Sequence, residues 1–461
     1  MLLVLAAVAA PVGWAQTATG IWEGKVGGNA QQTLRIDLDT GLASLNSGSP
    51  FAMTVVKSDD PLAIQFDLTI SGRTLRFTGR RSESEITGSI ANRALTLTRL
   101  PGDTAHLAGR QRYPFPQVDS GDAKAVATAR AALVELIRKQ EIPGLSVAVA
   151  RKGKILWSEG FGLADVEHGT PVTPLTRFRV GSVSKVLTAA GIGRLVEQGK
   201  LDLDAPIRRY VPDFPAKPWP ITTRQLAAHT AGIRHYNSAE AIGPKGAPHF
   251  ARVRLGLALF ENDPLLFEPG TSYSHSSYGW SLISAVMEGA SRQEFLSFMR
   301  SSVFEPLGLH SIVPDHVDAI VPHRTRFYVK EGPGRPLENA PYVDLSYVWA
   351  GGGYLATAED LVRFGAAHLQ PGFFEQRTLD LLFKGQSVIP EDKRISVGVG
   401  WRIQTDSEGR RILHHAGASV GGRAMLLLYP DSGITVAILS NTLADFGPAD
   451  AQRIGSLFVA N

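Results

Sequence analysis

Between Gly20 and about Leu100, apolar and polar residues alternate in short runs: Leu34/Ile36/Leu38, Ile64/Phe66/Leu68/Ile70, Leu75/Phe77 and Leu95/Leu97. A period of two places one kind of side chain on one face of a strand. Turn-forming residues break the runs at Gly27-Gly28, Asp39-Thr40-Gly41, Ser71-Gly72 and Gly88, and no window carries a helical stripe. Residues 16–100 therefore read as a small all-β domain, an antiparallel barrel or sandwich, with a stabilising or docking role expected. Residues 101–121, with Pro101-Gly102, Pro114, Pro116 and Ser120-Gly121, lack apolar periodicity and read as a linker.

The pattern changes again from residue 122. A helix is expected over Ala123–Lys139. Leu145–Arg151 and Ile155–Ser158 flank a Lys152-Gly153-Lys154 turn as a hairpin. Strands are expected again near the other end, over Arg411–His415, Ala424–Tyr429 and Ile434–Ser440, followed by a helix over about Ala449–Val459. Mostly helices and Gly/Pro loops lie between. The fold class expected for 122–461 is thus α/β, in detail α+β: an antiparallel sheet assembled from both ends of the domain and flanked by helices.

Composition narrows the function classes. In 461 residues, 47 Lys and Arg stand against 43 Asp and Glu, a formal charge of +4, and no basic run reaches five residues, so nucleic acid is not an expected partner. The absence of cysteine removes disulfides, thiol nucleophiles and all-cysteine metal sites. Met1 to Gly13 is almost wholly apolar, and Gly13-Trp14-Ala15 supplies small-x-small, so residues 1–15 read as a signal peptide cut before Gln16, with a periplasmic or secreted product. No later stretch approaches 18 uncharged apolar residues, and no stable membrane span is expected.

Three segments carry candidate chemistry. Ser182-Val183-Ser184-Lys185 heads a stretch to Val196 whose only charges are Lys185 and Arg194. A helix apolar nearly all round is buried, and a buried lysine one turn from a serine suits a proton acceptor beside a nucleophile. No other lysine in the chain has a serine three positions earlier. The second segment, Pro269-Gly270-Thr271-Ser272-Tyr273-Ser274-His275-Ser276-Ser277-Tyr278-Gly279-Trp280, crowds hydroxyls and an imidazole at a loop-to-helix junction, where His275 suits a general base. The third, Leu413-His414-His415-Ala416-Gly417-Ala418, lies on a strand edge whose small residues admit a substrate against the backbone. No carboxylate or third histidine stands at ligand spacing and no H-E-x-x-H occurs, so neither metal nor cofactor is expected.

In order and spacing the three segments resemble the motifs of the serine β-lactamase and penicillin-binding-protein superfamily: Ser-x-x-Lys, Tyr-x-Asn, and Lys-Thr-Gly or His-x-Gly. The likeness is to its class C-type branch of esterases and peptidases, which includes mitochondrial serine β-lactamase-like proteins and bacterial relatives. It is carried further by 199–204 (Gly-Lys-Leu-Asp-Leu-Asp), 229–236 (His-Thr-Ala-Gly-Ile-Arg-His-Tyr), 341–344 (Pro-Tyr-Val-Asp), 349–357 (Trp-Ala-Gly-Gly-Gly-Tyr-Leu-Ala-Thr) and 398–401 (Gly-Val-Gly-Trp). The resemblance implies a β-lactamase-like sheet and an acyl-serine mechanism. Ser182 would attack a carbonyl and Lys185 take or relay its proton, while the N–H groups of Ser182 and Ala418 form the oxyanion hole. Two departures stand out. His275 replaces the motif tyrosine, with Ser277 in place of asparagine and Tyr273 as a nearby phenol. His415-Ala416-Gly417 replaces Lys-Thr-Gly, so a neutral imidazole stands where a permanent charge would attract a substrate carboxylate.

The expected function is therefore an exported serine hydrolase of small ester, amide or peptide substrates, with Ser182, Lys185 and His275 catalytic and Ala418, His415, Gly417 and Ser277 holding oxyanion and substrate. The alternatives are a β-lactamase proper, or a catalytically impaired scaffold that self-associates.

Overall fold

The computed structural model describes residues 21–26, 32–37, 42–45, 51–56, 60, 63–70, 73–82, 85–99 and 120–459, less 238–239, 241–248, 331 and 333–334. The expected signal peptide and all of the linker before Ser120 lie outside the described residues. Two compact units result: the strands before residue 100 together with 168–170, and the rest of the chain from residue 120.

The first unit is a closed antiparallel barrel of β1 (Ile21–Val26), β2 (Gln32–Asp37), β3 (Leu42–Leu45), β4 (Phe51–Val56), β5 (Ala63–Ile70), β6 (Arg73–Arg81), β7 (Glu85–Ile90) and β8 (Arg93–Arg99). Each strand pairs with the next and β8 returns to β1, so no edge is left open. The alternation in the sequence is the inside-outside pattern of this barrel: Leu34, Ile36, Ile64, Phe66, Leu68, Phe77, Leu95 and Leu97 all point inward and are buried. Gly88 corrects one expectation, because it lies within β7 rather than in a turn. It pairs with Gly79, and a Cβ on Gly88 would come 2.6 Å from the Phe77 ring, so the pair makes room for that ring. The actual turn is Ala91-Asn92, both at positive φ, as a two-residue hairpin requires.

The second unit is built on a nine-stranded sheet. Its members in chain order are β9 (Gly144–Arg151), β10 (Lys154–Asp165) and β11 (Thr170–Pro171), then β17 (Ser387–Ile389), β18 (Asp392–Val397), β19 (Arg402–Thr405), β20 (Arg411–Ser419), β21 (Gly422–Tyr429) and β22 (Ile434–Ser440). The spatial order is β11-β10-β9-β22-β21-β20-β19-β18-β17, which joins the two ends of the domain through β9 and β22. Short strands β12 (Phe178–Arg179), β13 (Val313–Pro314) and β16 (Tyr354–Ala356) form a second sheet, and β14 (Tyr328–Val329) with β15 (Glu338–Asn339) a third.

The helices are α1 (Ala123–Gln140), α2 (Ser184–Glu197), α3 (Thr223–Ala227), α4 (Val253–Gly256), α5 (Ser277–Ser291), α6 (Phe295–Met299), α7 (Trp349–Gly352), α8 (Ala358–Ala367), α9 (Gln376–Leu382) and α10 (Pro448–Gly455). Central strands face two cores. Leu145, Val147 and Val149 pack in one core with α1 and α10, whereas Ala148 and Ala150 pack in the other with α2, α5 and α8. Burial on both faces is why these strands read as unbroken apolar runs. α2 lies deep in the second core and is buried nearly all round, as its composition requires. Among the described residues no helix is long and apolar enough to cross a membrane.

The barrel core leans on Phe66 and Phe77, stacked with centroids 4.4 Å apart. Phe66→Ala is expected to cost roughly 3–5 kcal/mol of barrel stability, read as a lower denaturant midpoint for the barrel transition.

Candidate active site

Ser182 sits in a single 3-10 turn, Gly181–Val183, that runs directly into α2. The turn touches β20 backbone to backbone. Gly181 has φ +49°, and a Cβ there would lie 2.5 Å from the Ala418 carbonyl oxygen. A Cβ on Gly417 would meet the Val180 carbonyl oxygen at 1.9 Å and the Ser182 nitrogen at 3.1 Å. Glycine at both positions brings Ser182 and Ala418 together, and Ala418 faces solvent while Gly417 is buried.

Lys185 lies on the first turn of α2, one helical turn beyond Ser182, and is fully buried. Its Nζ is 2.9 Å from Ser182 Oγ, 3.0 Å from Ser277 Oγ and 2.9 Å from the Gly351 carbonyl oxygen on α7. Among the described residues no carboxylate pairs with it. Burial first, and then the Arg402 guanidinium, bring its pKa down to about 7, so a large neutral fraction exists near neutrality. Ser182 remains partly open to solvent. An amine free of ion pairs, bonded to an accessible hydroxyl, can take that hydroxyl's proton.

Ser277 arrives at the head of α5, and the start of that helix is capped in an unusual way. His229 Nδ1 accepts the Ser276 N–H and His235 Nδ1 accepts the Ser277 N–H, each at 3.1 Å, while Ser276 Oγ accepts from the Gly279 N–H at 2.9 Å. A ring nitrogen that accepts an N–H is unprotonated, so both imidazoles are neutral with the proton on Nε2. Burial agrees: it holds His229 well below the ordinary histidine value and His235 down to about 4.

The His275 ring lies between these two, with centroids 4.7 Å from His229 and 4.9 Å from His235. The ring makes no hydrogen bond among the described residues, to Ser182 or otherwise. Burial, followed by the charge of Lys185, drives its pKa far below the usual value. An imidazole that resists protonation this strongly is a poor proton acceptor, which weighs against the role expected for it. Tyr273 makes no hydrogen bond to Ser182 among the described residues either, and it meets the His229 ring edge-on at 5.7 Å.

His415 is buried, and its Nδ1–H donates to the Ala416 carbonyl at 2.6 Å, which fixes the tautomer and leaves Nε2 as an acceptor. Burial, with Arg402 and Lys185 behind it, keeps the ring neutral. Its neighbour His414 is buried with neither ring nitrogen bonded.

Sequence reasoning missed Arg402. At the start of β19 it is largely buried, and its side chain makes no hydrogen bond or ion pair among the described residues, yet it depresses the pKa of Lys185, His229, His275, His414 and His415 together. Tyr273 and Arg423 register the same charge as these five, because it sits among them all. The signal available was a lone arginine directly after Gly398-Val399-Gly400-Trp401, in an otherwise apolar stretch.

A Beta-lactamase family model matches residues 125–457. The chain belongs to the beta-lactamase family. By that membership it is a serine hydrolase with the family's mixed α/β fold. Among its relatives is the mouse mitochondrial Serine beta-lactamase-like protein LACTB, 30% identical over 453 residues, covering 75% of this chain and 82% of that protein. Esterase EstB of Burkholderia gladioli is 28% identical over 71% of this chain and 93% of its own length. Among solved structures, the octameric penicillin-binding protein homologue from Pyrococcus abyssi superposes with TM-score 0.65 over 73% of this chain and 78% of that chain, at 23% identity.

Two predictions follow from the geometry. Gly417→Val pushes β20 off the Ser182 turn and is expected to abolish labelling of the protein by a fluorescent fluorophosphonate, with a stability loss of about 1–3 kcal/mol from overpacking. His229, His235 and His275 have folded pKa values below the ordinary 6.5, so the unfolded chain binds more protons than the folded one under mild acid. Their contribution is fully present above about pH 6.5 and is lost progressively as pH falls, through about 4 for His235 and further down for His229 and His275. Thermal melts at half-unit steps of pH should show Tm dropping across that window, and the drop should lessen in His235→Asn.

Proposed function

We propose that this family member hydrolyses a small ester, amide or peptide whose acyl part carries a carboxylate, through an acyl-Ser182 intermediate. The observation that supports it most is the 2.9 Å bond between a buried, unpaired amine and the Ser182 hydroxyl. In acylation Ser182 Oγ bonds to the substrate carbonyl carbon and its proton passes to neutral Lys185. The carbonyl oxygen takes the negative charge beside the backbone N–H groups of Ser182 and Ala418. Collapse breaks the bond to the leaving group, which departs with the proton from the Lys185 ammonium. Water, giving its proton to the same amine, then releases the acid and restores Ser182.

The carboxylate is argued from Arg402. His415 is a weaker attractor of a carboxylate than the motif lysine, but Arg402 supplies a permanent cation from the neighbouring strand, and a largely buried guanidinium whose side chain has no hydrogen-bond or ion-pair partner among the described residues is suited to a ligand anion. The same feature keeps β-lactam hydrolysis open as a second reading, since penicillins carry such a carboxylate. The scaffold reading, with catalysis lost, is disfavoured by an intact Ser182–Lys185 bond. The apolar N-terminal segment supports export to the periplasm or outside the cell as part of this proposal; a mature protein that begins at Gln16 would support it, and one that retains Met1 would count against it.

Ser182→Ala is expected to abolish fluorophosphonate labelling, and equal labelling of both proteins would remove Ser182 from the mechanism. The acylation rate should rise with pH through a limb near 7, as Lys185 loses its proton, and His275→Tyr should leave that limb in place. Arg402→Ala should raise KM for a carboxylate-bearing ester by about tenfold to a hundredfold, and leave its neutral methyl-ester counterpart within threefold.

A further inference from the structure

Glycine at 181 and 417 limits how closely the Ser182 turn and β20 can approach, but steric contact does not stop them from moving apart. β20 ladders with β19 only as far as His414, whereas its pairing with β21 continues to Ser419. The stretch from His415 to Ser419, which carries Ala418, is therefore laddered on one side alone among the described residues. Beyond it the chain reverses through Val420-Gly421, with Gly421 at φ +67°. The Ser182 N–H and the Ala418 N–H thus belong to separate elements, and an attraction across the gap is needed to fix the distance between them.

Arg179 spans that gap. It ends β12, just before the Ser182 turn, and its Nη1 donates to the Val420 carbonyl oxygen at 2.8 Å. Its Nε donates to Asp315 Oδ2 at 2.6 Å, and the two side chains are only 7% and 1% exposed. The guanidinium also lies over the Phe327 ring, 4.1 Å from its centroid, and a Cβ on Gly421 would come 2.7 Å from Phe327 Cβ, so the turn and the guanidinium pack on the same residue. Asp315 is held in turn: Oδ1 accepts from Arg324 Nη1 at 3.0 Å, and its N–H donates to the Gly353 carbonyl at 2.8 Å. The Val180 N–H, next along from Arg179, donates to the Tyr354 carbonyl at 3.1 Å, so adjacent residues anchor both halves of the ion pair.

A buried ion pair is weak evidence for stability, since well-packed apolar residues often serve as well. What apolar residues cannot supply is a directed donor on the Val420 carbonyl, and a guanidinium bonded through two of its nitrogens cannot swing away without breaking a charge-assisted bond.

We propose that Arg179 is a positioning residue for the oxyanion hole: by holding the Val420 carbonyl, it sets the Ala418 N–H at a fixed distance from the Ser182 N–H. The inference rests on the acyl-serine reading and deepens it. Arg179 touches no reacting atom; it acts through the turn that ends β20, and Asp315 with Arg324 keeps its guanidinium in place.

The test compares acylation of the full chain by para-nitrophenyl acetate and by the corresponding thionoester, in the wild type and Arg179→Met. Arg324 still neutralises Asp315 in this variant. Sulfur is a poor hydrogen-bond acceptor, so well-placed donors favour the oxygen ester, and misplacing one costs the oxygen ester more. Arg179→Met should slow acylation by the oxygen ester about tenfold or more and leave the thionoester within about threefold, while end-point labelling by a fluorescent fluorophosphonate stays at one per chain. An equal fall for both esters, which a merely structural role would give, or no change in either, overturns the proposal. Should Arg179→Met fail to fold by near-ultraviolet circular dichroism, Arg179→Lys reads the same contact, because a lysine keeps the charge beside Asp315 but not a fork that meets two acceptors from separate nitrogens. The oxygen-to-sulfur preference is expected to fall there too, and an unchanged preference overturns the proposal. A wild type that does not label at Ser182 sinks the acyl-serine reading itself, and this inference with it.

Discussion

A primary amine held away from water, with no carboxylate among the described residues to neutralise it, is the constraint around which the larger unit is arranged. Removing an ammonium from water costs several kcal/mol even after relaxation, and a protein meets that cost either by pairing the charge or by discarding the proton. Lys185 follows the second course. Its three neighbours are two hydroxyls and a carbonyl, which satisfy an amine without fixing a positive charge on it. α2 can carry such a residue because the helix is surrounded by core on every side, and α7 and the head of α5 are brought to the same point by packing against it.

Backbone proximity is the second requirement, and it is met by glycine. Side chains at 181 or 417 would occupy the space in which the Ser182 turn touches β20. The head of α5 shows the complementary device: bulky, neutral rings in place of small residues. His229 and His235 satisfy amides that would otherwise be orphaned at a buried helix end, and they do so only while unprotonated. The site is thus held together by groups that acid would charge, next to an amine and a guanidinium that repel further positive charge.

Much of this was legible in the chain. Period-two alternation located the barrel strands, the Lys152-Gly153 turn sits at positive φ as its sequence suggests, and β22 spans Ile434–Ser440 as expected. Ser182 and Lys185 were found because a serine and a lysine one turn apart on an apolar helix is a local pattern. Gly88 misled because a glycine that accommodates a cross-strand ring looks, in one dimension, like a glycine that turns the chain. His275 is harder to read for a different reason: it lies just before α5, and its basicity depends on burial and on Lys185, His229, His235 and Arg402, which come from other segments. Arg402 was invisible as a site residue because it lies outside the three motifs; only the folded sheet brings it near Lys185.

The relation between Arg402 and Lys185 links binding to chemistry under the acyl-serine reading. The guanidinium adds to desolvation in depressing the Lys185 pKa, since a second positive charge nearby is unfavourable at low effective dielectric. That keeps the lone pair available but also makes the amine reluctant to accept a proton when Ser182 attacks. A carboxylate seated on Arg402 would cancel most of that repulsion without touching Lys185. The amine would then become more basic at the moment a correctly charged substrate is present, so an anionic acyl group would be favoured twice, once in binding and once in proton transfer. A neutral substrate would leave the repulsion in place, and the difference between the two would appear in the chemical step as well as in affinity.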